Sequence, residues 1–547
     1  MLQPFPTIKR CLLCLALPAL LLGGCEKSAA THKAEVDKYA YSAIDAQWDE
    51  KFGLKANYKV DEDKPPRDFK AIQAAVPPDG ILTMPHALAI ATANNRLYQI
   101  EKETLYTKAL DLRLIQHVYE PNPVGGSRAS YNKGDLTTER DYTGFLGFSQ
   151  LLGTGGLISA NLIMGYADIV TGDVRSGRTR IFNAMIDQPL LRGAGREVAM
   201  EQLTQAERDV LHQIRQFNRF RKTLVLDVLT LYYNVLELAG NVQNAKDNYD
   251  ALTRIYDKTK PLMEAGIVAL HELEEIDQER TDAMDQYLLA RRDYAQTLDQ
   301  FKLMIGVPPE IEFRLDPHEL SAIRTFDKEE LAFTEAEAIE TAKSLRLDLA
   351  NAVDAVADAE RKVRVAADDL RAGLNIVGAY NHQRTSGGVT TDPWNADVVL
   401  DLPLDRTAEQ NDYRLRLVLL EQAKRFREEV EDTVAAEVRD AFGKLTESHE
   451  RYLLHSTSLP KSEKRLQNTL LLLQYSRANT RDVLRAQGDC YAAREEALDA
   501  STDFAIALLR FYRATEVLQV REDGMWQLPP ERRAAVEKTE DGLAAVR

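Results

Sequence analysis

The chain has 547 residues, of which 28% are charged and only 7% aromatic, and its net charge is −16. That balance suits long solvated helices with narrow apolar seams, not the three or four thick-cored domains that the length alone would allow. The acidic excess argues against nucleic acid as a partner, because phosphate neutralisation requires basic surfaces.

Lys9 and Arg10 precede an apolar run, Cys11 to Leu22, that is too short to span a bilayer and closes on Leu22-Gly23-Gly24-Cys25. Small residues directly before a cysteine are the arrangement of a bacterial lipoprotein signal. Residues 1–24 therefore read as a signal peptide and Cys25 as the lipidated first residue of the mature chain. Cleavage removes Lys9 and Arg10 and leaves −18. Glu26 follows, where enteric bacteria use Asp for inner-membrane retention, which favours the outer membrane. Cys490 is then the only thiol left beside the lipidated one, so no disulfide framework or thiolate metal site is available, and it reads as a packing residue.

Residues 25–80, charged and containing Pro65-Pro66 and Pro77-Pro78, are expected to form a lipid-anchored periplasmic tether. A helix is predicted from Met84 to about His117. Residues 119–150 exceed what the second half of the chain carries at the same point and take no place in its pattern. Two strands follow: Ile158, Ala160, Leu162, Met164 and Tyr166 alternate with Ser159 and Asn161, and Phe182, Ala184 and Ile186 alternate with Asn183 and Asp187.

Asp187-Gln188-Pro189-Leu190-Leu191-Arg192 then opens a proline-free stretch reaching Pro261. Within it Leu224, Val228, Leu231, Val235, Leu238, Val242, Ala245, Tyr249, Leu252 and Tyr256 step by four and three, the seam of a coiled-coil helix about 105 Å long. A turn near Gly266 returns the chain as a helix from Leu270 to Ile305. Residues 307–333, with Pro308, Pro309 and Pro317, read as a linker around the waist.

The pattern then repeats. A helix from Thr334 to about Ala372 leads to a weaker strand, Leu374 to Tyr380, and to Trp394–Leu402, where Trp394, Ala396, Val398, Leu400 and Leu402 oppose Asn395, Asp397 and Asp401. Asp401-Leu402-Pro403-Leu404-Asp405-Arg406 matches the first copy's turn and opens a long helix to Tyr475, which Pro460 is expected to bend or unwind. A turn near Arg477 precedes a helix from Arg481 to Leu518. Residues 520–547, with Pro529-Pro530, form a charged periplasmic tail.

The fold class is mainly α with β, a duplicated unit occupying 81–306 and 334–519. No stretch after Cys25 reaches the about 20 apolar residues of a membrane helix, so a membrane crossing by the mature chain must use β-strands. Alternation also fits a soluble sheet lying on a core. Four strands cannot close a barrel with a lumen, which takes about eight, so a barrel would have to be shared between chains.

The lipobox, the duplicated unit, the strand running into Gln188-Pro189-Leu190-Leu191-Arg192-Gly193, and the turns Glu264-Ala265-Gly266-Ile267-Val268-Ala269-Leu270 and Tyr475-Ser476-Arg477-Ala478-Asn479-Thr480-Arg481-Asp482-Val483-Leu484 together resemble the TolC-like outer membrane efflux proteins over about residues 80–520. The resemblance implies a homotrimer whose three sets of four transmembrane strands make a 12-stranded barrel in outer membrane lipid, above an α-helical periplasmic tunnel. It implies a passive duct docked through a periplasmic adaptor to an inner-membrane pump, proton-driven or ATP-driven, for efflux of small molecules or secretion of proteins.

It further implies that Gly266, Ile267, Ser476, Arg477 and Ala478 form adaptor-contacting tips, and that Pro189 and Pro403 mark the strand-to-helix turns. Glu272, Tyr475, Arg481 and Asp482 fall on the periplasmic gate positions, with Glu272 expected to hold Arg481 or Tyr475. Arg485 stands where relatives often place a second pore aspartate. The competing reading of Glu272 and Arg481 is a pair of solvated helix charges contributing less than about 1 kcal/mol.

Nothing in the chain reads as an enzyme: HExxH, paired-cysteine spacing, a phosphate-binding glycine loop and a nucleophile elbow are missing, and no cofactor is implied beyond the lipid on Cys25. The alternative function is a non-conducting lipoprotein scaffold spanning the periplasm, which explains the helices and the anchor but leaves the amphipathic strands idle.

Overall fold

Asparagine and arginine, not proline or glycine, break the first helix of each copy. In the computed structural model, α1 spans Ala29–Gln47, α2 Met84–Asn94 and α3 Arg96–Tyr119, and the α2–α3 break is Asn95. The corresponding helices of the second copy, α7 (Glu335–Leu345) and α8 (Leu347–Asp369), break at Arg346. Both residues are buried and leave the helical region, with ψ of 124° and 117°. Asn95 accepts from the Tyr98 amide at 2.9 Å, capping α3, and donates to the Met304 carbonyl at 2.7 Å. Arg346 donates at 3.3 Å to the Ala514 carbonyl. Each break therefore ties to the end of its own copy's return helix, and the two continuous helices expected from the sequence are four.

The described residues are 28–60, 73, 76–133, 138–169, 175–319, 334–386, 390–475, 477–521 and 526–527. Cys25, Ser476, Pro65-Pro66, residues 320–333 and the tail beyond 527 lie outside them. Part of the expected tether is helical, since α1 occupies it and Ser28 caps it. Arg113 stacks 5.0 Å over the Tyr39 ring there. At the tail, Gln519–Val520 pairs antiparallel with Trp526–Gln527.

The chain divides into two compact units, one of Met1–Trp48, Thr104–Ile214 and Asn351–Arg427, the other of Asp49–Glu103, Arg215–Ala350 and Glu428–Arg547. The first unit holds the large sheet. Its strands are β2 (Asn122–Lys133), β3 (Thr138–Leu151), β4 (Leu157–Ile169), β5 (Arg175–Pro189), β7 (Gly373–Thr385), β8 (Thr390–Thr391) and β9 (Trp394–Asp401). Their order is β2-β3-β4-β5-β7, with β8 and β9 both pairing β7, and every pairing is antiparallel. All four strands read from alternation are present. The expected total of four is nevertheless short by three: β8 is a two-residue strand on β7, and β2 and β3 form from the segment unplaced by the repeat.

The second unit holds a two-stranded parallel pair, β1 (Ile81–Leu82) with β6 (Arg314–Leu315), which pins the linker to the start of the first copy. Its buried aromatic core includes Tyr232, whose ring lies 5.9 Å from Phe301 and whose hydroxyl donates to the Leu82 carbonyl at 3.1 Å. After the one-turn α4 (Arg196–Ala199), the long helices are α5 (Glu201–Glu264) and α9 (Thr407–Gln474), returning as α6 (Leu270–Met304) and α10 (Thr480–Ala514). Pro460 does not interrupt α9: it removes a single amide donor, and the remaining ladder keeps the helix. One stretch of α5 is, against the sequence expectation, apolar and long enough to cross a membrane, but Val225, Val228, Leu229 and Val235 along it are buried within the protein. Cys490 is buried, and burial pushes its thiol above the usual range.

Candidate functional site

Register turns the alternation of single strands into one surface, because directly opposed residues of an antiparallel pair share a face. Leu146 faces Leu162, which faces Phe182; Phe148 faces Ala160, then Ala184, Tyr380 and Trp394. Ile186, Gly378 and Ala396 continue the same face, as do Ile376 with Val398 and Leu374 with Leu400. Leu146, Trp394, Val398 and Leu400 are between 58% and 76% exposed, more than water tolerates in one contiguous band. The opposite face carries Asn161, Asn183 and Asn381 in one row and Asp187, Asn375, Asp397 and Asp401 nearer the helices.

The strand-to-helix turns lie where the sequence repeat placed them. Pro189 is the last residue of β5, and the Leu190 amide extends the ladder to the Leu374 carbonyl at 2.7 Å. Arg192 donates to Asp401 at 2.7 Å, joining the arginine of the first copy to the aspartate of the second, and the Gly193 amide donates to Asp368 at 2.7 Å. Pro403 lies between β9 and α9. Its carbonyl accepts from Arg406, whose guanidinium also reaches the Leu370 carbonyl. Gly155, at the β3–β4 turn, packs directly on this region with φ of +90°.

At the first tip, Gly266 takes φ of +76°, its amide donates to Met263 and the Ile267 amide donates to Leu262, both at 2.9 Å. These two bonds are the Schellman ending of a helix, which needs a residue tolerant of left-handed backbone. The second tip lacks glycine. It closes by the Arg477 amide donating to the Leu472 carbonyl at 2.9 Å, and Asn479 then caps α10. Asp482 completes a capping box, accepting from the Asn479 amide at 3.1 Å, so its position is set by helix capping. Ile267 is 72% and Tyr475 is 74% exposed, while Ala478 is half-buried.

Arg481 pairs with Glu275, its Nε lying 2.9 Å from one carboxylate oxygen. The expected partner, Glu272, sits three residues earlier and makes no ion pair with Arg481 among the described residues. Counting along a helix from a turn places a charge to within a turn, and Glu272 and Glu275 are both acidic and one turn apart.

Glu237 on α5 sits beside Asp499 and Asp503 of α10, and Asn241 hydrogen-bonds to Asp499. Burial, then the two neighbouring carboxylates, raise Glu237 from 4.5 to about 7. A folded-state value above the unfolded one means that this group's contribution is complete below about pH 4.5 and is lost as pH rises through about 7. Thermal midpoints measured from pH 5 to 8.5 are expected to fall across neutrality in the parent and to fall less in Glu237→Gln; parallel pH profiles would show that the cluster is not titrating.

Residues 181–307 match the family model for outer membrane efflux proteins. Among solved structures, the CmeC outer membrane channel of Campylobacter jejuni superimposes with a TM-score of 0.59 at 13% identity, covering 89% of this chain and 94% of that one. The MtrE outer membrane channel of Neisseria gonorrhoeae, in its open state, gives 0.59 at 15% identity over 79% and 88%. The outer membrane protein VceC of Vibrio cholerae gives 0.56 at 12% over 79% and 95%. No curated protein sequence matches the chain.

The fold is that of the TolC-like outer membrane channels. Over residues 181–307, from β5 through α5 and α6, the chain resembles the outer membrane efflux protein family.

Proposed function

We propose that the protein is the outer membrane duct of a tripartite export system, a homotrimer whose sheets close into one barrel and whose helix pairs form a periplasmic conduit. The observation that carries this reading is the sheet's apolar face, continuous from Leu146 to Leu400 and backed by a mixed face that holds Asn161, Asn183, Asn381 and Asp397 among Phe145, Met185 and Val399. Lipid on one side and water on the other is what such a surface suits. A non-conducting scaffold gives that face no solvent.

In this reading Cys25 carries the lipid anchor. Gly266, Ile267, Ser476, Arg477 and Ala478 meet a periplasmic adaptor, with the exposed Ile267 and Tyr475 supplying apolar contact. The adaptor links the duct to an inner-membrane pump that provides the energy and selects the cargo, small molecules in the first instance. The family match and the channel folds of the relatives support the transport role, which needs no catalytic residue.

Purified protein in planar bilayers is the direct test. Discrete conductance steps from a species of trimeric native mass are expected, and a detergent-soluble monomer without conductance would leave the scaffold reading. The gate is testable in the same apparatus. The Arg481–Glu275 pair is exposed, so it contributes less than about 1 kcal/mol per chain. Three copies acting together are expected to make Arg481→Ala open several times more often than the parent; unchanged conductance and open probability would remove Arg481 from the gate.

A further inference from the structure

The β2–β3 hairpin lies outside the repeat, yet it is bonded into the sheet as fully as the repeat's own strands. β3 pairs with β4 from Glu139↔Ile169 to Leu151↔Leu157, and β4 pairs with β5 from Leu157↔Asp187 to Ile169↔Arg175, ladders of equal length. β2 pairs with β3 along its whole length, from Asn122↔Ser149 to Lys133↔Thr138. At 12 and 14 residues, both strands exceed the about 9–11 that a membrane strand requires.

Their faces continue those of the wall. Tyr142, Leu146 and Phe148 of β3 lie on the apolar face, opposite Tyr166, Leu162 and Ala160, and the Tyr142 and Tyr166 rings stand 6.4 Å apart. On β2 the same face is Pro123, Gly125, Ser127, Ala129 and Tyr131, uncharged until Lys133 at the end of the strand. Arg128 on β2, and Glu139 and Asp141 on β3, fall on the polar face, whereas Arg140 and Lys133 fall on the apolar face at the end of the hairpin away from the helices. From Pro123 to Tyr131 and from Tyr142 to Phe148 that face is free of charge, as the lipid-facing part of a wall requires.

The edges of the sheet are β2 on one side and β8 with β9 on the other. Residues 390–401, with Asp392-Pro393 between β8 and β9, cover as many positions as β2 does. Six strands that alternate in direction leave β2 and β9 antiparallel to each other, the geometry that closure between copies demands. Pro123 is the second residue of β2, so the amide it lacks is lost at the rim.

We infer that β2 and β3 are wall strands, so that each chain contributes six and β2 of one copy pairs with β9 of the next. This rests on the trimeric channel reading. Three copies then make an eighteen-stranded barrel instead of a twelve-stranded one. Barrel diameter grows roughly linearly with strand number, so the cross-section enclosed by the wall is roughly twice as large.

Disulfide mapping on the full-length protein in outer membranes tests the wall. Ser127→Cys on β2 is combined in turn with Ala396→Cys, Val398→Cys and Leu400→Cys on β9, and Ala160→Cys on β4 is combined with the same three. Native mass is measured on each preparation. Covalent trimers are expected from at least one Ser127 combination upon oxidation and from no Ala160 combination. Links from Ala160 without links from Ser127, in a protein of trimeric mass, would mean that β4 meets β9 and the wall has four strands per chain. A trimer in which Ser127 links to no β9 position overturns the six-strand wall equally, and a monomeric mass overturns the channel reading itself.

Discussion

Lys222→Met is expected to destabilise the protein by about 3–5 kcal/mol, because it strands a carboxylate in the interior. Lys222 and Glu516 are both buried, and the ammonium lies 2.9 Å from the Glu516 carboxylate and 3.2 Å from its carbonyl oxygen. Glu516 is held at φ of +60° just beyond α10, a left-handed position that costs a side-chain residue about 1–2 kcal/mol. The first copy has Gly306, at φ of +74°, just beyond the end of α6. The second copy therefore uses a residue ill-suited to the turn and offsets it with a buried ion pair. The double variant Lys222→Met with Glu516→Gly is expected to recover most of the loss, since it removes both charges and restores the backbone-tolerant residue. Thermal midpoints in detergent at one fixed scan rate provide the comparison, and a single variant melting with the parent would show that the pair contributes nothing.

Gly155→Ala is expected to be the most damaging single-methyl change at the strand-to-helix turns. A Cβ there would stand 2.3 Å from the Gly193 carbonyl oxygen, a backbone atom held by the turn after β5, and the residue's φ of +90° is already unfavourable for alanine. Backbone strain and the clash together cost at least about 3 kcal/mol, expected to appear as a several-fold loss of heat-resistant assembly in the membrane fraction. Gly266→Ala is the control: it shares the positive φ, but a Cβ meets nothing within 4 Å, so only the conformational cost of about 1–2 kcal/mol remains. Equal losses from the two variants would refute the close approach of Gly155 and Gly193.

What the sequence disclosed followed from periodicity. The heptad seam from Leu224 to Tyr256 lies within α5, and the alternation at Ile158–Tyr166 and Trp394–Leu402 marks strands whose apolar residues share one face. Of the residues matched between the copies, Arg192 of the first meets Asp401 of the second. Two kinds of feature stayed hidden. The breaks at Asn95 and Arg346 carry no proline or glycine; their cause is a side chain bonded to a carbonyl about 170 to 210 positions away, which no local pattern records. β2 escaped notice because Pro123, Gly125, Ser127 and Ala129 are small and not strongly apolar, so its face is defined only by what lies beside it in the sheet. At the tips, spacing located an acidic partner for Arg481 but not which of two acids one turn apart, and Asp482 showed its capping role only through the bond to Asn479.

The open edges of the sheet also bear on how the protein is made. A lone chain placed in hydrocarbon would expose the backbone of β2 and of β9 to a medium that offers no hydrogen bonds, so it has no stable resting place there until both edges are covered. For the proposed shared barrel, insertion and association are one event, and the inserted product should appear with a steep dependence on chain concentration and with a lag at low expression. The same coupling makes damage at an edge dominant. In the proposed ring of three, when half the chains carry a broken edge, only about one assembly in eight is free of it, so a cell with one good and one bad copy of the gene would lose far more than half its assemblies.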